Sequence, residues 1–214
     1  MKKAILFDMD GILLDSELYY REGTIEWLTQ AGFKGDFKIL DTLIGLNMKQ
    51  TYELLRKFLD NRYTIEEVIK LNETYFTTHP IDFNRYMFAG VKEILTKAKQ
   101  EGYKLAVCSS STKPMILANL QGMEIIDFFD VILSSDEFEI PKPNPEIYLH
   151  AMEKLNLKAK DCVIYEDSKI GIEAAKASGC LTVARIDNRF GQDQSEADIL
   201  VKDIYEFYQV IKGK

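Results

Sequence analysis

The sequence holds little cysteine, little histidine and little proline. Its three cysteines, Cys108, Cys162 and Cys180, are an odd set in a chain of 214 residues, and each lies in an apolar stretch. That pattern fits neither a disulfide scaffold nor a cysteine-ligated zinc site, so buried reduced thiols are expected. There are two histidines, His79 and His150. So small a number argues against a histidine metal cage and against a serine–histidine–aspartate triad. Catalysis must then come from carboxylates, lysine and hydroxyls. Five prolines and twelve glycines are too few for a disordered or collagen-like chain. No apolar run approaches the roughly 20 residues of a membrane span, so no membrane partner is expected. The opening run, Ala4-Ile5-Leu6-Phe7, meets an acid at Asp8. It is shorter than the roughly 7–15-residue apolar core of a signal peptide, and a cytoplasmic setting is expected. Acids outnumber bases 34 to 27, for a net charge of −7, which argues against nucleic acid as a partner.

What the chain does have is a rhythm of short apolar runs, each ending at polar residues. Ala4 to Phe7 ends at Asp8, Leu105 to Cys108 at Ser109, and Cys162 to Tyr165 at Glu166-Asp167. Further runs are Val131 to Leu133, Leu181 to Ala184 and Ile199 to Val201. Continuous runs of this length suit strands covered on both faces, as in a parallel sheet. Between them lie helical patterns. Val91, Ile94, Leu95 and Ala98 repeat at helical spacing before a stop at Gly102. Ile147, Tyr148, Ala151, Met152 and Leu155 do the same, and Ile170 to Ala177 precedes Gly179. Strands alternating with helices predict an α/β fold, a Rossmann-like parallel sheet built from βαβ units.

Residues 15–85 break the rhythm. Leu18, Ile25 and Leu28 predict one helix closing near Gly32, Tyr52, Leu55, Phe58 and Leu59 a second, and Ile65 to Phe76 a third. We therefore expect a helical bundle over 15–85, inserted into a core formed by 1–14 and 86–214. Trp27 is expected in the bundle's core, His79 at a helix end, His150 on a partly exposed helix face, and Tyr205, Phe207 and Tyr208 on a packed C-terminal helix.

In open parallel sheets ligands bind beyond the carboxyl ends of the strands. Those ends carry Asp8 and Asp10, Ser109, and Glu166 with Asp167, and Pro141-Lys142-Pro143 adds a lysine on a stiff loop. Acids converging on one crevice repel one another. A divalent cation relieves this, and an all-oxygen donor set suits Mg2+. Cation and lysine together would attract a phosphate dianion. One aspartate could attack phosphorus, while a second, two residues on, protonates the leaving group and later deprotonates water. Each piece alone has a plainer reading. Asp8-Met9-Asp10-Gly11 also fits a turn with solvated acids. Lys142 fits an exposed loop lysine. Ser109-Ser110-Ser111-Thr112 fits a helix start capped by Thr112, and Glu166-Asp167-Ser168 fits another. Specificity lies in the ordered set.

That set resembles the four motifs of the haloacid dehalogenase superfamily, in order over almost the whole chain. Phe7-Asp8-Met9-Asp10-Gly11-Ile12-Leu13-Leu14-Asp15-Ser16 resembles the first, the strand ending at Ser109 the second, Lys142 in Lys-Pro-Asn-Pro-Glu the third, and Glu166-Asp167-Ser168-Lys169-Ile170-Gly171-Ile172 the fourth. The resemblance implies Asp8 as nucleophile and Asp10 as general acid and base, with an aspartate at the second position pointing to phosphoryl chemistry and away from dehalogenation. It implies Mg2+ on the Asp8 carboxylate, the Asp10 carbonyl and Asp167, with Glu166 alongside. It implies phosphate binding by Ser109, Ser110 and Lys142. The helical insert resembles the family's cap, which closes over substrate and excludes water.

The branch that fits best resembles beta-phosphoglucomutase and related sugar-phosphate phosphatases. Gly45-Leu46-Asn47 resembles their specificity loop, which implies substrate contacts by Gly45 and Asn47. The sequence departs from the mutase pattern where Tyr20 stands for a histidine, Met48 for an arginine, and Leu71 near a lysine. Fewer basic groups weaken the grip on a second phosphate. The expected activity is therefore hydrolysis of a small phosphomonoester, with mutase activity as the alternative. A non-enzymatic phosphoacceptor module shares the sheet, aspartate, hydroxyl and lysine, but it needs neither the insert nor Asp10. Arg185 and Asn188 lie near a late strand end and receive no role from the sequence.

Overall fold

The computed structural model describes residues 2–43 and 46–212. The strands are β1 (Ala4–Phe7), β2 (Lys104–Ser109), β3 (Val131–Ser134), β4 (Cys162–Glu166), β5 (Leu181–Arg185) and β6 (Ile199–Val201). Among the described residues they form one sheet in the order β3-β2-β1-β4-β5-β6, every neighbouring pair parallel. The helices are α1 (Ser16–Gln30), α2 (Met48–Phe58), α3 (Ile65–Thr78), the single turn α4 (Phe83–Tyr86), α5 (Val91–Gln100), α6 (Lys113–Gly122), α7 (Glu146–Leu155), α8 (Lys169–Ala177) and α9 (Ile204–Lys212). The α/β expectation and its parallel sheet hold, and no described helix is long and apolar enough to cross a membrane.

The apolar runs became strands because both of their faces are covered. On one face Ala4, Leu6, Ala106, Cys108 and Ile164 pack with Ile147, Tyr148, Ala151 and Met152 of α7 and Ala174 and Ala175 of α8. On the other, Phe7 meets Phe207 of α9 edge-on with centroids 6.1 Å apart, and Tyr165 stacks on Phe207 at 4.2 Å. Each such fully buried side chain contributes roughly 1.5–3 kcal/mol by leaving water. Cys108, Cys162 and Cys180 are buried and unbonded. In α9, Phe207 and Tyr208 are buried, whereas Tyr205 is exposed. The helix opening at Ile170 is α8, yet Ile170 itself faces outward.

Strand order reverses direction between β1 and β4, which makes the carboxyl ends of those two strands the natural ligand crevice. Phe7 pairs with Val107 on one side and Tyr165 on the other. One step further along the register, Asp8 stands level with Glu166.

The chain divides into two compact units, one formed by the residues up to Asp15 and from Phe83 onward, the other by Ser16–Asp82. The first resumes at Phe83, whose ring fills the space a side chain on Gly122 would need. The second is helical around Trp27, Leu28, Leu40, Leu55, Leu59, Val68 and Tyr75. Two of its helices begin in reciprocal capping boxes, Asn47 with Gln50 and Thr64 with Glu67. His79 closes α3 and stacks on Tyr75 at 4.3 Å. His150 lies half-buried on α7 beside Glu153.

Candidate active site

The chain leaves β1 through Asp8, whose backbone N–H donates to the Tyr165 carbonyl at 3.0 Å. It then folds back tightly. The Met9 carbonyl accepts from the N–H groups of Ile12, Leu13 and Leu14. This turn needs a left-handed residue at Gly11, with φ +77°. A Cβ there would collide with the Asp167 carboxylate, so the missing side chain is also the room that Asp167 occupies.

Lys142 comes from the loop between β3 and α7, yet it is buried. Its ammonium donates to Asp8 Oδ1 at 2.7 Å, Glu166 Oε1 at 2.7 Å and the Cys108 carbonyl at 2.9 Å. It also lies 5.0 Å from the centre of the Tyr148 ring. The exposed-loop reading of this lysine is thereby excluded. Glu166 is fully buried and its carboxylate is saturated. Oε1 accepts from Lys142 and the Tyr148 hydroxyl, and Oε2 from the N–H groups of Asp167 and Ser168 and the Ser168 hydroxyl. A carboxylate offers about four lone-pair sites, so Glu166 has little left for another partner.

Burial works against every charge here, and the partners decide the outcome. Burial alone would lower the Lys142 pKa, but Asp8 and Glu166 outweigh it and hold the ammonium well above its usual range. Burial alone would raise Glu166, but Lys142 and the hydrogen bonds at Oε2 outweigh it and keep it ionised. For Asp8 burial wins. With Glu166 and Asp10 adding to it against Lys142, the carboxyl is pushed up to about 8. The Lys142 ammonium alone does not offset the burial and the neighbouring acids.

Asp10 follows on the same turn. Its Oδ2 accepts from the Ser111 hydroxyl at 2.8 Å and from the Ser109 hydroxyl at 3.4 Å. Ser109 is fully buried at the end of β2, and its Oγ also accepts from the Ser111 N–H at 3.0 Å. Ser110 is exposed. Thr112 stands at the start of α6 but makes no side-chain cap, which corrects that expectation. Ser168 does cap α8, its hydroxyl accepting from Gly171 at 3.2 Å. In the other unit Asn47 is exposed and its side chain caps α2. Gly45 lies outside the described residues. The structure thus gathers Asp8, Asp10, Ser109, Lys142, Glu166 and Asp167.

The same residues fit a hard divalent cation. Carboxylate oxygens of Asp8, Glu166 and Asp167 all lie within 4.8 Å of one another, and all three residues are buried. Oxygen donors of this kind select Mg2+ or a similar ion over softer metals. The Asp167 carboxylate, which fills the room left by Gly11, and the Asp8 carboxyl are the oxygens that such a cation would join.

Asp187, Arg189 and Gln194, which follow β5, escaped the sequence reading, and Arg185, the last residue of β5, received no role from it. The Arg185 Nε–H donates to the Gly11 carbonyl at 2.5 Å, and its guanidinium lies over the Phe88 ring at 4.4 Å. Arg185 and Arg189 both donate to the Asp187 carboxylate, and Arg189 reaches Asp15 as well. The Gln194 amide donates to the Asp167 carbonyl. Asn188, next to them, is exposed. Arg185 was placed near a strand end by the sequence, but nothing in spacing or composition pointed to its partner 174 positions away.

Comparison with known proteins agrees with this geometry. A beta-phosphoglucomutase of Bacillus subtilis is 28% identical over 207 residues, covering 94% of this chain and 89% of its own. A phosphorylated carbohydrates phosphatase of Thermotoga maritima is 29% identical over 184 residues, covering 83% and 82%. A solved structure from Thermotoga maritima, provisionally named beta-phosphoglucomutase, superposes with a TM-score of 0.86 at 28% identity, covering 100% of this chain and 99% of its own. The model of the haloacid dehalogenase-like hydrolases matches residues 5–185, from the second residue of β1 to the last of β5. The protein therefore belongs to the haloacid dehalogenase-like hydrolase family and is a phosphohydrolase or phosphomutase.

Proposed function

We propose that the protein is a Mg2+-dependent phosphatase that hydrolyses a small phosphomonoester, a sugar phosphate, through an aspartyl-phosphate on Asp8. The observation that carries this reading is the buried Lys142 ammonium held between Asp8 and Glu166, with Asp10 two residues on. Lys142 takes one oxygen of Asp8, and the other attacks phosphorus. The bond from phosphorus to the leaving oxygen breaks as Asp10 delivers its proton to that oxygen. Asp10 then takes a proton from water. The water oxygen bonds to phosphorus, the Asp8–phosphorus bond breaks, and inorganic phosphate departs. Lys142, Ser109 and Ser110 hold the phosphoryl oxygens. Asp8, the Asp10 carbonyl and Asp167 would hold Mg2+, which supplies charge neutralisation for the transferring group. Glu166, whose oxygens are saturated, keeps Lys142 in place.

Hydrolysis is favoured over transfer because Tyr20, Met48 and Leu71 stand where the mutase pattern carries basic groups. The mutase reading stays in play through the likeness to the Bacillus subtilis enzyme and to the provisionally named mutase structure. One assay separates them. Phosphate release is measured from hexose, pentose and nucleoside monophosphates, phosphoglycolate, and beta-glucose 1-phosphate with a bisphosphate primer, with Mg2+ and with chelator. Mg2+-dependent release of free phosphate supports the phosphatase, and the rate ranking gives its substrate. Conversion of beta-glucose 1-phosphate to glucose 6-phosphate without release establishes the mutase. No Mg2+-dependent turnover of either kind overturns both.

A further inference from the structure

Gln194 lies in the loop between β5 and β6, and its side chain is buried. All of its hydrogen-bonding capacity that the structure engages goes to the main chain. Its Nε2 donates to the Asp167 carbonyl at 2.5 Å and to the Arg185 carbonyl at 2.6 Å, while its Oε1 accepts from the Asp187 N–H at 3.3 Å. Two carbonyls and one N–H fix which end of the amide points where. They also explain the residue type, because only a neutral amide gives two donors and one acceptor in this space.

The groups it joins belong to the acidic crevice. Asp167 follows Glu166 at the end of β4, and its carboxylate lies against Gly11. Arg185, held by the same amide, donates its Nε–H to the Gly11 carbonyl. Gly11 is the residue after Asp10. One amide and one guanidinium thus tie the Asp167 peptide to the turn that carries Asp8 and Asp10. We infer that Gln194 is a positioning residue for the divalent cation, fixing the Asp167 peptide and hence the aim of its carboxylate at the Asp8–Gly11 turn. The inference rests on the Mg2+-dependent reading above.

The test uses the full chain and calorimetric titration with Mg2+ of the parent, Gln194→Leu and Gln194→Glu. Thermal midpoints are measured in chelator alongside. The leucine removes all three bonds, and the glutamate sets an anion against two carbonyls. Losing a group that orients a ligand weakens metal binding by about 10-fold or more, and that loss is expected in both variants. The Mg2+ concentration for half-maximal turnover should rise in step, and turnover at saturating Mg2+ should return towards the parent value. Where Gln194→Leu does not fold, Gln194→Asn carries the same comparison, since it keeps the amide but shortens its reach. Folded variants with parental Mg2+ affinity overturn the inference, including the case in which only the thermal midpoint falls. A parent that binds no Mg2+ overturns the reading beneath it as well. Binding by the parent with unaffected variants overturns the role of Gln194 alone.

Discussion

Arg189 grips Asp15 with two nitrogens, Nη1 2.7 Å from Oδ2 and Nη2 3.1 Å from Oδ1. The same guanidinium reaches Asp187, with Nε 3.0 Å from Oδ1 and Nη2 2.6 Å from Oδ2. One cation thus serves two buried carboxylates, one at the end of the loop that follows β1 and one after β5. Paired forks of this kind add geometry as well as energy. Arg189→Met should cost about 2 kcal/mol in urea unfolding, less than the roughly 3–5 kcal/mol of a fully buried pair. The discount follows from the Arg189 side chain being 40% exposed.

The pH dependence of that clamp has a definite sign. Burial alone would raise the Asp187 pKa, but hydrogen bonds from Arg189 and Arg185 outweigh it and hold the carboxyl far below its ordinary 3.8. The native state therefore binds fewer protons than the unfolded chain between those two values. The stabilisation is complete above the ordinary value and fades as pH falls through the depressed one. Asp187→Asn should be less stable than the parent by a constant margin above about pH 5, and the margin should close as pH drops below about 4. Denaturant midpoints of both proteins from pH 2 to 7 measure it, and a margin that stays constant in acid contradicts the assignment.

Asp8→Asn separates chemistry from folding. The amide cannot attack phosphorus, so turnover should fall to background. Burying a neutral amide costs less than burying a carboxylate among acids, and burial pushes the Asp8 carboxyl up to about 8. The thermal midpoint in chelator should accordingly match or exceed the parent's. Normal turnover by this variant would refute the proposed mechanism.

Glu166 should behave in the opposite way. Its removal leaves the Lys142 ammonium short of an anion and strips a partner from the buried Tyr148 hydroxyl. Glu166→Ala is expected to lose about 3–5 kcal/mol, as for other broken buried pairs. Lys142→Met in the same background should recover part of it, because the unmatched charge is gone. A double-mutant cycle by chemical denaturation gives the coupling, and additive losses would show that the pair does not act as a unit.

The parts of this site that could be read from the sequence are those at the carboxyl ends of regular strands. Asp8, Ser109, Glu166 and Asp167 were legible because apolar runs buried on both faces stop sharply at the sheet's edge. The three helices expected from periodicity within 15–85 correspond to α1, α2 and α3. Burial of Lys142 was not, since flanking prolines say nothing about where a loop folds. Resemblance supplied its role. Ser111 was read only as part of a helix start, yet its hydroxyl meets an acid 101 positions away. Gln194 meets Asp167 from a loop with no periodic pattern, 27 positions on. Such contacts depend on how loops pack over the sheet, which local propensity does not encode.

Ser111 offers a test of how Asp10 is held. Its hydroxyl donates to Asp10 Oδ2, and its carbonyl accepts from the Ser134 hydroxyl at 2.7 Å. Asp10→Asn removes the proposed acid and base, a group usually worth about 100- to 10,000-fold. Ser111→Ala leaves the carboxylate but removes the hydroxyl that fixes its orientation. Its kcat should fall, but by less than in Asp10→Asn. A parental kcat would leave Ser111 as packing only.

Two glycines with similar backbone angles separate strain from site geometry. Gly11 has φ +77° and Gly102 has φ +85°, and a side chain at either loses about 1–2 kcal/mol from the left-handed conformation alone. A Cβ on Gly102 meets nothing within 4 Å, whereas one on Gly11 runs into the Asp167 carboxylate. Gly102→Ala should therefore lose stability and keep its turnover and Mg2+ requirement. Gly11→Ala should lose at least as much stability and, in addition, need more Mg2+ for half-maximal turnover, because Asp167 must move aside. Equal Mg2+ requirements in the two variants would mean that the room beside Asp167 serves the turn and not the cation.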